Sequence, residues 1–147
     1  MFMGKYNSNI KICYAQDKDK EFWSSLDKHI SEIEFAKKVR DKQGYVLFAD
    51  NLPIGILRYN LFWDNTPFCT LLYISEKYRN TGYGKQLMTF WENEMLSLGY
   101  KWLLVSTQSN ENAQYFYRAL GYQDCGNLFA PNQPMELFLG KHLKNSF

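Results

Sequence analysis

The alternation of hydrophobic and polar residues changes period several times along the chain. Short apolar runs rich in β-branched and aromatic residues, bounded by turn residues, predict β-strands. Seven such runs occur, at 11–15, 45–49, 54–62, 68–74, 102–105, 122–127 and 135–141. Between them lie segments in which apolar residues recur every three or four positions, which predicts amphipathic helices. The order β-α-α-β-β-β-α-β-α-β-β predicts an α/β sandwich on a mixed, mostly antiparallel sheet flanked by helices.

Each predicted helix has an apolar face, and turn residues separate the elements. The apolar faces comprise Phe22, Trp23 and Leu26; Ile30, Ile33, Phe35, Ala36 and Val39; Leu87, Met88, Trp91, Met95 and Leu98; and Ala113, Phe116 and Leu120. We expect Asp17 to cap the first helix, Asn110 to cap the fourth and Gly121 to end it. Residues 50–53 and 63–67 predict the turns of two consecutive hairpins.

Length and charge restrict the class of protein. A chain of 147 residues can build a full core, so we expect a single domain over residues 1–147. The formal net charge is +2, with acidic and basic residues interspersed, which argues against a nucleic-acid partner. No apolar stretch is long enough to span a bilayer, which argues against a membrane protein. The N-terminal residues lack the apolar region of a secretory signal.

The cysteines and histidines bear on compartment and metal binding. Cys13, Cys69 and Cys125 are odd in number and widely spaced, which favours free thiols in a reducing compartment and therefore a cytoplasmic location. No two of them form a C-x-x-C pair, and His29 and His142 are isolated, so we expect no metal site. Aromatic residues make up 18% of the chain, which suits either an aromatic core or an aromatic-lined pocket.

The run Arg79-Asn80-Thr81-Gly82-Tyr83-Gly84-Lys85 lies between a predicted strand and a predicted helix. Its glycines permit positive φ and a close approach of the backbone to another group. The helix start that follows supplies unpaired N–H groups and a favourable dipole end, which suit a phosphate. It is not a Walker A loop, because Gln86 follows the lysine, nor a dinucleotide fingerprint, because Leu87 replaces the third glycine. By itself it also suits a glycine-rich turn with solvated basic residues.

A second strand–helix unit follows, in which a strand ends at residues 106–107 before a helix. Its spacing resembles the C-terminal motif of the GNAT superfamily of acetyl-coenzyme A-dependent N-acetyltransferases. The matching residues are Asn110, Ala113, the pair Phe116-Tyr117 and the run Leu120-Gly121-Tyr122. The glycine-containing loop resembles the same family's pyrophosphate-binding motif through Arg79, Gly82 and Gly84. The two motifs occur in the family's order and cover about the central third of the chain.

The resemblance implies a GNAT-like fold in which two central parallel strands splay apart and acetyl-coenzyme A, the cosubstrate, threads the gap. Backbone groups of Ile74 and Ser75 would then bind the pantetheine amides. The pyrophosphate would lie on the loop and helix start, on Arg79, Asn80, Thr81, Gly82, Tyr83, Gly84 and Lys85. Asn110 would either contact the pantetheine or cap its helix.

The resemblance also implies roles in transferring an acetyl group from a thioester to an amine. Tyr117 matches the family's tyrosine that protonates or stabilises the departing thiolate. The alternative is that Tyr117 is a core aromatic residue with its hydroxyl satisfied. The backbone N–H of Ile74 would stabilise the oxyanion.

The general base and the acceptor are less constrained by the sequence. Family members often carry an acidic residue on the strand before the phosphate loop, but residues 68–74 contain none, so the base is unassigned. By analogy with the family, Glu32 and Trp63 are candidates for binding a small-molecule or peptide amine. Ser106 and Thr107, at the end of a predicted central strand, are candidates for contacting the acceptor or holding water.

Two functions of different class therefore remain open. The first is an N-acetyltransferase that works by direct attack in a ternary complex. The second is a catalytically weak coenzyme A-binding sensor or interaction domain. The missing acidic residue slightly favours the second function, and the retained Tyr117 favours the first more strongly. The sequence leaves open whether the acyl group is acetyl or larger, and whether the protein is a monomer or a homodimer.

Overall fold

The computed structural model of the protein describes residues 9–144. Within that range the strands are β1 (Ile10–Tyr14), β2 (Gly44–Ala49), β3 (Leu52–Phe62), β4 (Thr66–Ile74), β5 (Trp102–Gln108), β6 (Gln123–Leu128) and β7 (Glu136–His142). The α-helices are α1 (Lys20–Leu26), α2 (Glu32–Asp41), α3 (Tyr83–Ser97) and α4 (Ala113–Ala119), and 3₁₀ helices span Asp17–Asp19 and Glu76–Tyr78. The predicted order of helices and strands is confirmed. The N-terminal residues that argued against a secretory signal lie outside the described residues.

The described strands are hydrogen-bonded in the order β1-β2-β3-β4-β5-β7-β6. The pairs β1–β2, β2–β3, β5–β7 and β6–β7 are antiparallel, and β4–β5 is parallel. The prediction of a mixed, mostly antiparallel sheet is therefore confirmed. The parallel ladder joins Phe68 to Leu104 and Cys69 to Val105, and both strands continue beyond it. A ladder this short agrees with the predicted splayed pair.

The described residues form two compact units. The first unit comprises residues 9–58 and 71–90, and the second comprises residues 59–70 and 91–144. The strands β3 and β4 and the helix α3 each contribute residues to both. A single domain over residues 1–147 stays a prediction.

The first unit has its own hydrophobic core under α1 and α2. Its buried members are Ala15, Trp23, Phe35, Val46 and Ile56. Two predicted core positions of α2 are wrong, because Ile33 is 70% exposed and Ala36 is also exposed. Phe35 and Val39, one turn apart, centre the apolar stripe, and Ile33 lies about 200° around the helix from Phe35. The apolar stripe is thus narrower than predicted.

The start of α1 also differs from the prediction. Asp17 begins the first 3₁₀ helix instead of capping an α-helix. The capping carboxylate belongs to Asp19, whose Oδ2 accepts a hydrogen bond from the Gln16 N–H at 2.9 Å. A 3₁₀ turn before an α-helix is a common N-terminal extension, and it moves the helix start to Lys20.

In the second unit, Trp91 and Met95 of α3 and Leu103 and Val105 of β5 are fully buried. The predicted burial of Leu98 is wrong, because α3 ends before it and its side chain is 60% exposed.

The fourth helix begins later than predicted and ends where predicted. Asn110 is not its N-cap, because residues 109–112 form turns and α4 starts at Ala113, which is exposed. Gly121 has φ +97°, and its N–H donates to the Arg118 carbonyl at 3.0 Å. The Tyr122 N–H donates to the Tyr117 carbonyl at 3.1 Å, which completes a Schellman motif. The prediction that Gly121 ends this helix is confirmed.

Candidate active site

The loop between β4 and α3 lies in the first unit and turns through two left-handed residues. Asn80 has φ +62° and Gly82 has φ +91°. The Thr81 hydroxyl donates a hydrogen bond to the Tyr78 carbonyl at 2.7 Å, which fixes the loop against the preceding 3₁₀ helix. Polar residues that bond locally in this way favour compact turns. The loop is therefore a defined turn.

The N-terminus of α3 follows this loop directly. The Gln86 N–H donates to the Gly82 carbonyl at 3.0 Å, so the amides of residues 83–85 precede this helical bond. Amides in the first turn of a helix have no intrahelical partner. A Cβ atom built on Gly82 would have no heavy atom within 4 Å, so the backbone is open there. Open amides at the positive end of a 15-residue helix, beside the exposed Lys85, can bind an anion.

Arg79 is held against the end of β4. Its Nε donates a hydrogen bond to the Ile74 carbonyl at 2.8 Å. Its guanidinium carbon lies 4.8 Å from the centroid of the Tyr73 ring, in cation–π geometry. The terminal guanidinium nitrogens are thus the donors that Arg79 can offer to a phosphate.

The end of β4 is also tied to its neighbours through the backbone. The Ser75 N–H donates to the Ile54 carbonyl at 2.7 Å, and the Ser75 carbonyl accepts from the Tyr78 N–H at 2.9 Å. On the backbone of Ser75, a pantetheine amide would therefore find only the second lone pair of the carbonyl oxygen. The structure brings Ile74, Ser75 and the predicted phosphate loop together in the first unit.

Tyr117 lies on α4 in the second unit and is only 6% exposed. Its ring contacts Phe116 and Tyr122, with centroid separations of 5.3 and 5.9 Å. Burial, with smaller contributions from Cys69 and Glu111, raises the pKa of Tyr117 well above its ordinary value of 10.0. The phenol is therefore neutral at physiological pH and has a proton to donate.

The end of β5 carries a carboxylate that the sequence analysis did not single out. Glu111 Oε1 accepts hydrogen bonds from the Gln108 N–H at 2.9 Å and from the Thr107 hydroxyl at 3.3 Å. Thr107 is 5% exposed and Ser106 is half-buried. The carboxylate closes the turn after β5, and its charge is one reason for the raised pKa of Tyr117. The sequence signal that could have identified Glu111 is an acidic residue three positions after the last residue of β5.

Asn110 lies in this same turn and is exposed. Because α4 starts at Ala113, Asn110 does not cap it, and this one of its two predicted roles is wrong. The backbone reason is that the Glu111 N–H donates to the Gln108 carbonyl at 3.0 Å, which makes a turn before the helix can begin. The predicted contact between Asn110 and pantetheine stays a prediction.

The two candidates for acceptor binding that the family suggested lie in different units. Glu32 begins α2 in the first unit and is paired with Lys20 at 2.8 Å, and this hydrogen bond lowers the pKa of the Glu32 carboxyl. Trp63 belongs to the second unit, is 73% exposed and has φ +56°. It packs on Phe62 at 4.6 Å and helps to line a cavity of about 230 Å³ with Trp102. Glu32 is thus held in an ion pair with Lys20, and Trp63 lines an aromatic cavity.

Metal ligands are not clustered in the part of the chain that the structure covers. Among residues 9–144, no three His, Cys, Asp or Glu side chains are placed to share a metal ion. Within the same residues, no helix combines the length and the apolar character needed to cross a membrane.

Comparison with known protein families decides the classification. The model of the acetyltransferase (GNAT) family matches residues 9–122, which is more than half of the chain. The chain belongs to the GNAT acetyltransferase family. The resemblance inferred from the two sequence motifs is confirmed, and the family model spans both of them. None of the curated proteins compared with the chain is a significant match.

Solved GNAT structures share the fold at low sequence identity. Ard1 from Thermoplasma volcanium has a TM-score of 0.81 at 14% identity, over 92% of this chain and 99% of that one. Naa50 from Arabidopsis thaliana, bound to the bisubstrate analogue CoA-Ac-MVNAL, has a TM-score of 0.75 at 13% identity, over 90% and 97%. A GNAT acetyltransferase from Elizabethkingia anophelis with bound acetyl-CoA has a TM-score of 0.71 at 18% identity, over 92% and 99%. These likenesses confirm the predicted GNAT fold.

Proposed function

We propose that the protein transfers an acetyl group from acetyl-coenzyme A to a primary amine, by direct attack in a ternary complex. The observation that carries the proposal is the open backbone at Gly82 on the N-terminus of a 15-residue helix, in a chain of the acetyltransferase family. Coenzyme A complexes among the solved neighbours support the choice of cosubstrate.

The pyrophosphate of the cosubstrate is assigned to the loop from Arg79 to Lys85. Amides at the start of α3 would donate to its oxygens, and Lys85 and the terminal nitrogens of Arg79 would offset its charge. Ile74 and Ser75 would bind the pantetheine arm through backbone groups, and Asn110 would contact the same arm. These assignments extend the family's motif to the matching positions of this chain.

In the proposed reaction, the amine nitrogen attacks the thioester carbonyl, so that an N–C bond forms and the C–S bond breaks. The proton that the amine loses passes to solvent, and the general base that relays it is left unassigned because β4 carries no carboxylate. The Ile74 N–H stabilises the oxyanion, and the Tyr117 phenol gives its proton to the departing thiolate. Solvent then reprotonates the phenolate. The products are an amide and free coenzyme A.

The acceptor is proposed to be a small molecule or a peptide with a free amine. Glu32 and Trp63 offer a carboxylate and an aromatic face, both of which attract an ammonium group. Ser106 and Thr107 offer hydroxyls at the end of β5. Within the described residues, Cys13, Cys69 and Cys125 form no disulfide, which supports a reducing, cytoplasmic setting.

The test is an amine panel in which release of free thiol is followed with the wild type and two variants. Tyr117→Phe should lower kcat by about 10²–10⁴-fold, the usual contribution of a general acid, with little change in KM for acetyl-coenzyme A. Tyr115→Phe removes a hydroxyl from the same helix at a 63% exposed position and should leave kcat unchanged. A chain that binds acetyl-coenzyme A but acetylates no amine would be a sensor and would refute the proposal.

A further inference from the structure

A polar network in the second unit holds the aromatic residue next to Tyr117. The Tyr122 hydroxyl donates a hydrogen bond to Glu92 Oε2 at 2.8 Å. Lys141 Nζ donates to the other carboxylate oxygen, Glu92 Oε1, at 3.0 Å. Glu92 belongs to α3 and Lys141 to β7, so Tyr122 is tied to two elements outside its own segment.

Tyr122 is joined to Tyr117 in two ways. The Tyr122 N–H donates to the Tyr117 carbonyl at 3.1 Å, as part of the Schellman motif that ends α4. The two rings meet nearly edge to face, with centroids 5.9 Å apart and an interplanar angle of 69°. Tyr122 is only 2% exposed. A change in the position of its ring therefore alters its packing against the Tyr117 ring.

The carboxylate at the centre of the network is well compensated. The side chain of Glu92 is 12% exposed, and both of its oxygens accept a hydrogen bond. Lys141 supplies the opposite charge, and its Nζ lies 5.5 Å from the centroid of the Tyr122 ring. Glu92 and Lys141 also line an open cavity of about 610 Å³, which gives water access to this pair. A mostly buried carboxylate with two partners is a fixed anchor for the phenol.

We propose that Tyr122, Glu92 and Lys141 are positioning residues for acetyl transfer, which hold the Tyr117 ring in the orientation that delivers its proton to the thiolate. This inference rests on the proposed role of Tyr117 as the acid. A catalytic group displaced by a fraction of an ångström loses much of its effect, so the anchor should be visible in kcat.

The matched control is a polar link that begins on α4, the helix that carries Tyr117. Arg118 Nη2 and Asp124 Oδ2 are 3.0 Å apart and connect α4 to β6 on the surface, with side chains 36% and 58% exposed. This link does not involve the Tyr117 ring, and exposed ion pairs contribute little to stability. Asp124→Asn should therefore change neither kcat nor the environment of Tyr117.

The first experiment is a double-mutant cycle on kcat. Tyr122→Phe keeps the ring and removes the hydrogen bond to Glu92, and kcat should fall about tenfold, while KM for acetyl-coenzyme A stays the same. Glu92→Gln should also lower kcat. In the Tyr117→Phe background, Tyr122→Phe should have no further effect, because the group that it positions is absent. An equal fall in both backgrounds would show a merely structural role and overturn the inference.

The second experiment does not depend on turnover. In protein labelled with ζ-¹³C tyrosine, the Tyr117 resonance should shift in Tyr122→Phe and in Glu92→Gln, and stay in place in Asp124→Asn. An unchanged resonance in the first two variants would refute the inference even if acetyl transfer is established. If the wild type shows no turnover, the proposed function is refuted, and the catalytic part of this inference with it. The shifts of the Tyr117 resonance would then report only how its ring is packed.

Discussion

Replacing Gly82 tests the phosphate loop most directly, because its neighbourhood separates binding from folding. Gly82 has φ +91°, and a Cβ atom there would meet no heavy atom within 4 Å. A Cβ atom at position 82 therefore introduces no steric clash with described residues beyond its chain neighbours. Its effect on folding is the strain of a non-glycine residue at positive φ, about 1–2 kcal/mol. A loss of binding free energy for acetyl-coenzyme A that exceeds this strain indicates a clash between the valine side chain and the bound ligand.

The expected loss of affinity follows from the amides at the start of α3. A valine side chain occupies the open space over the loop and keeps the pyrophosphate from approaching the backbone. Losing two hydrogen bonds to a charged group is worth about 3 kcal/mol, which corresponds to roughly 10²-fold in Kd. Isothermal titration calorimetry with acetyl-coenzyme A measures this directly, and thermal unfolding of the same samples measures the change in stability.

The chain supplies a matched control for the backbone strain. Gly99 follows α3 with φ +97°, and a Cβ atom there would also meet nothing within 4 Å. Gly99→Val should therefore destabilise the protein about as much as Gly82→Val and leave the Kd for acetyl-coenzyme A unchanged. Equal affinities for the two variants, with both folded, would refute the assignment of the loop to pyrophosphate.

Two further predictions concern stability and redox chemistry. Asp27 is buried and, although burial alone raises its pKa, hydrogen bonds and charge from Arg58 at 2.8 Å lower it overall. Asp27→Asn should lower the free energy of unfolding at pH 7 by about 3–5 kcal/mol. Denaturation at several pH values should show this difference shrinking as pH falls below 3.8 toward the folded pKa; a constant difference would contradict the ion pair. The Cys69→Ala, Cys125→Ala double variant should keep most transfer activity in the thiol-release assay, whereas an acetylated cysteine trapped on the wild type would contradict direct attack.

The sequence predicted those features that depend on local patterns. The run from Leu71 to Ile74 is apolar enough to be recognised as a strand, and Gly121 marks a helix end because the Schellman motif needs a left-handed residue there. Two helix starts were predicted wrongly. Asn110 and Asp17 are both good capping residues, but Asn110 lies in a turn and Asp17 in a 3₁₀ helix that precedes the α-helix.

Contacts between distant residues could not be predicted from spacing. Glu92 and Tyr122 are 30 positions apart, and Glu92 and Lys141 are 49 apart, so no periodicity links them. The same holds for Asp27 and Arg58, which are 31 positions apart. The family motif made Tyr117 a candidate catalytic residue by its place in a run of residues. The groups that surround it become apparent only in the folded structure.

The attachment of Arg79 to the Ile74 carbonyl has a consequence for the thermodynamics of cosubstrate binding. A free arginine side chain gives up about 2 kcal/mol of rotamer entropy when it is immobilised. Here the hydrogen bond at 2.8 Å and the contact with Tyr73 already restrict this side chain in the unbound protein. If the cosubstrate binds as proposed, its binding does not have to order this side chain, and the charge of Arg79 is already in place for the phosphate. The same hydrogen bond couples the loop to the end of β4, so a displacement of Arg79 would be transmitted to the Ile74 carbonyl.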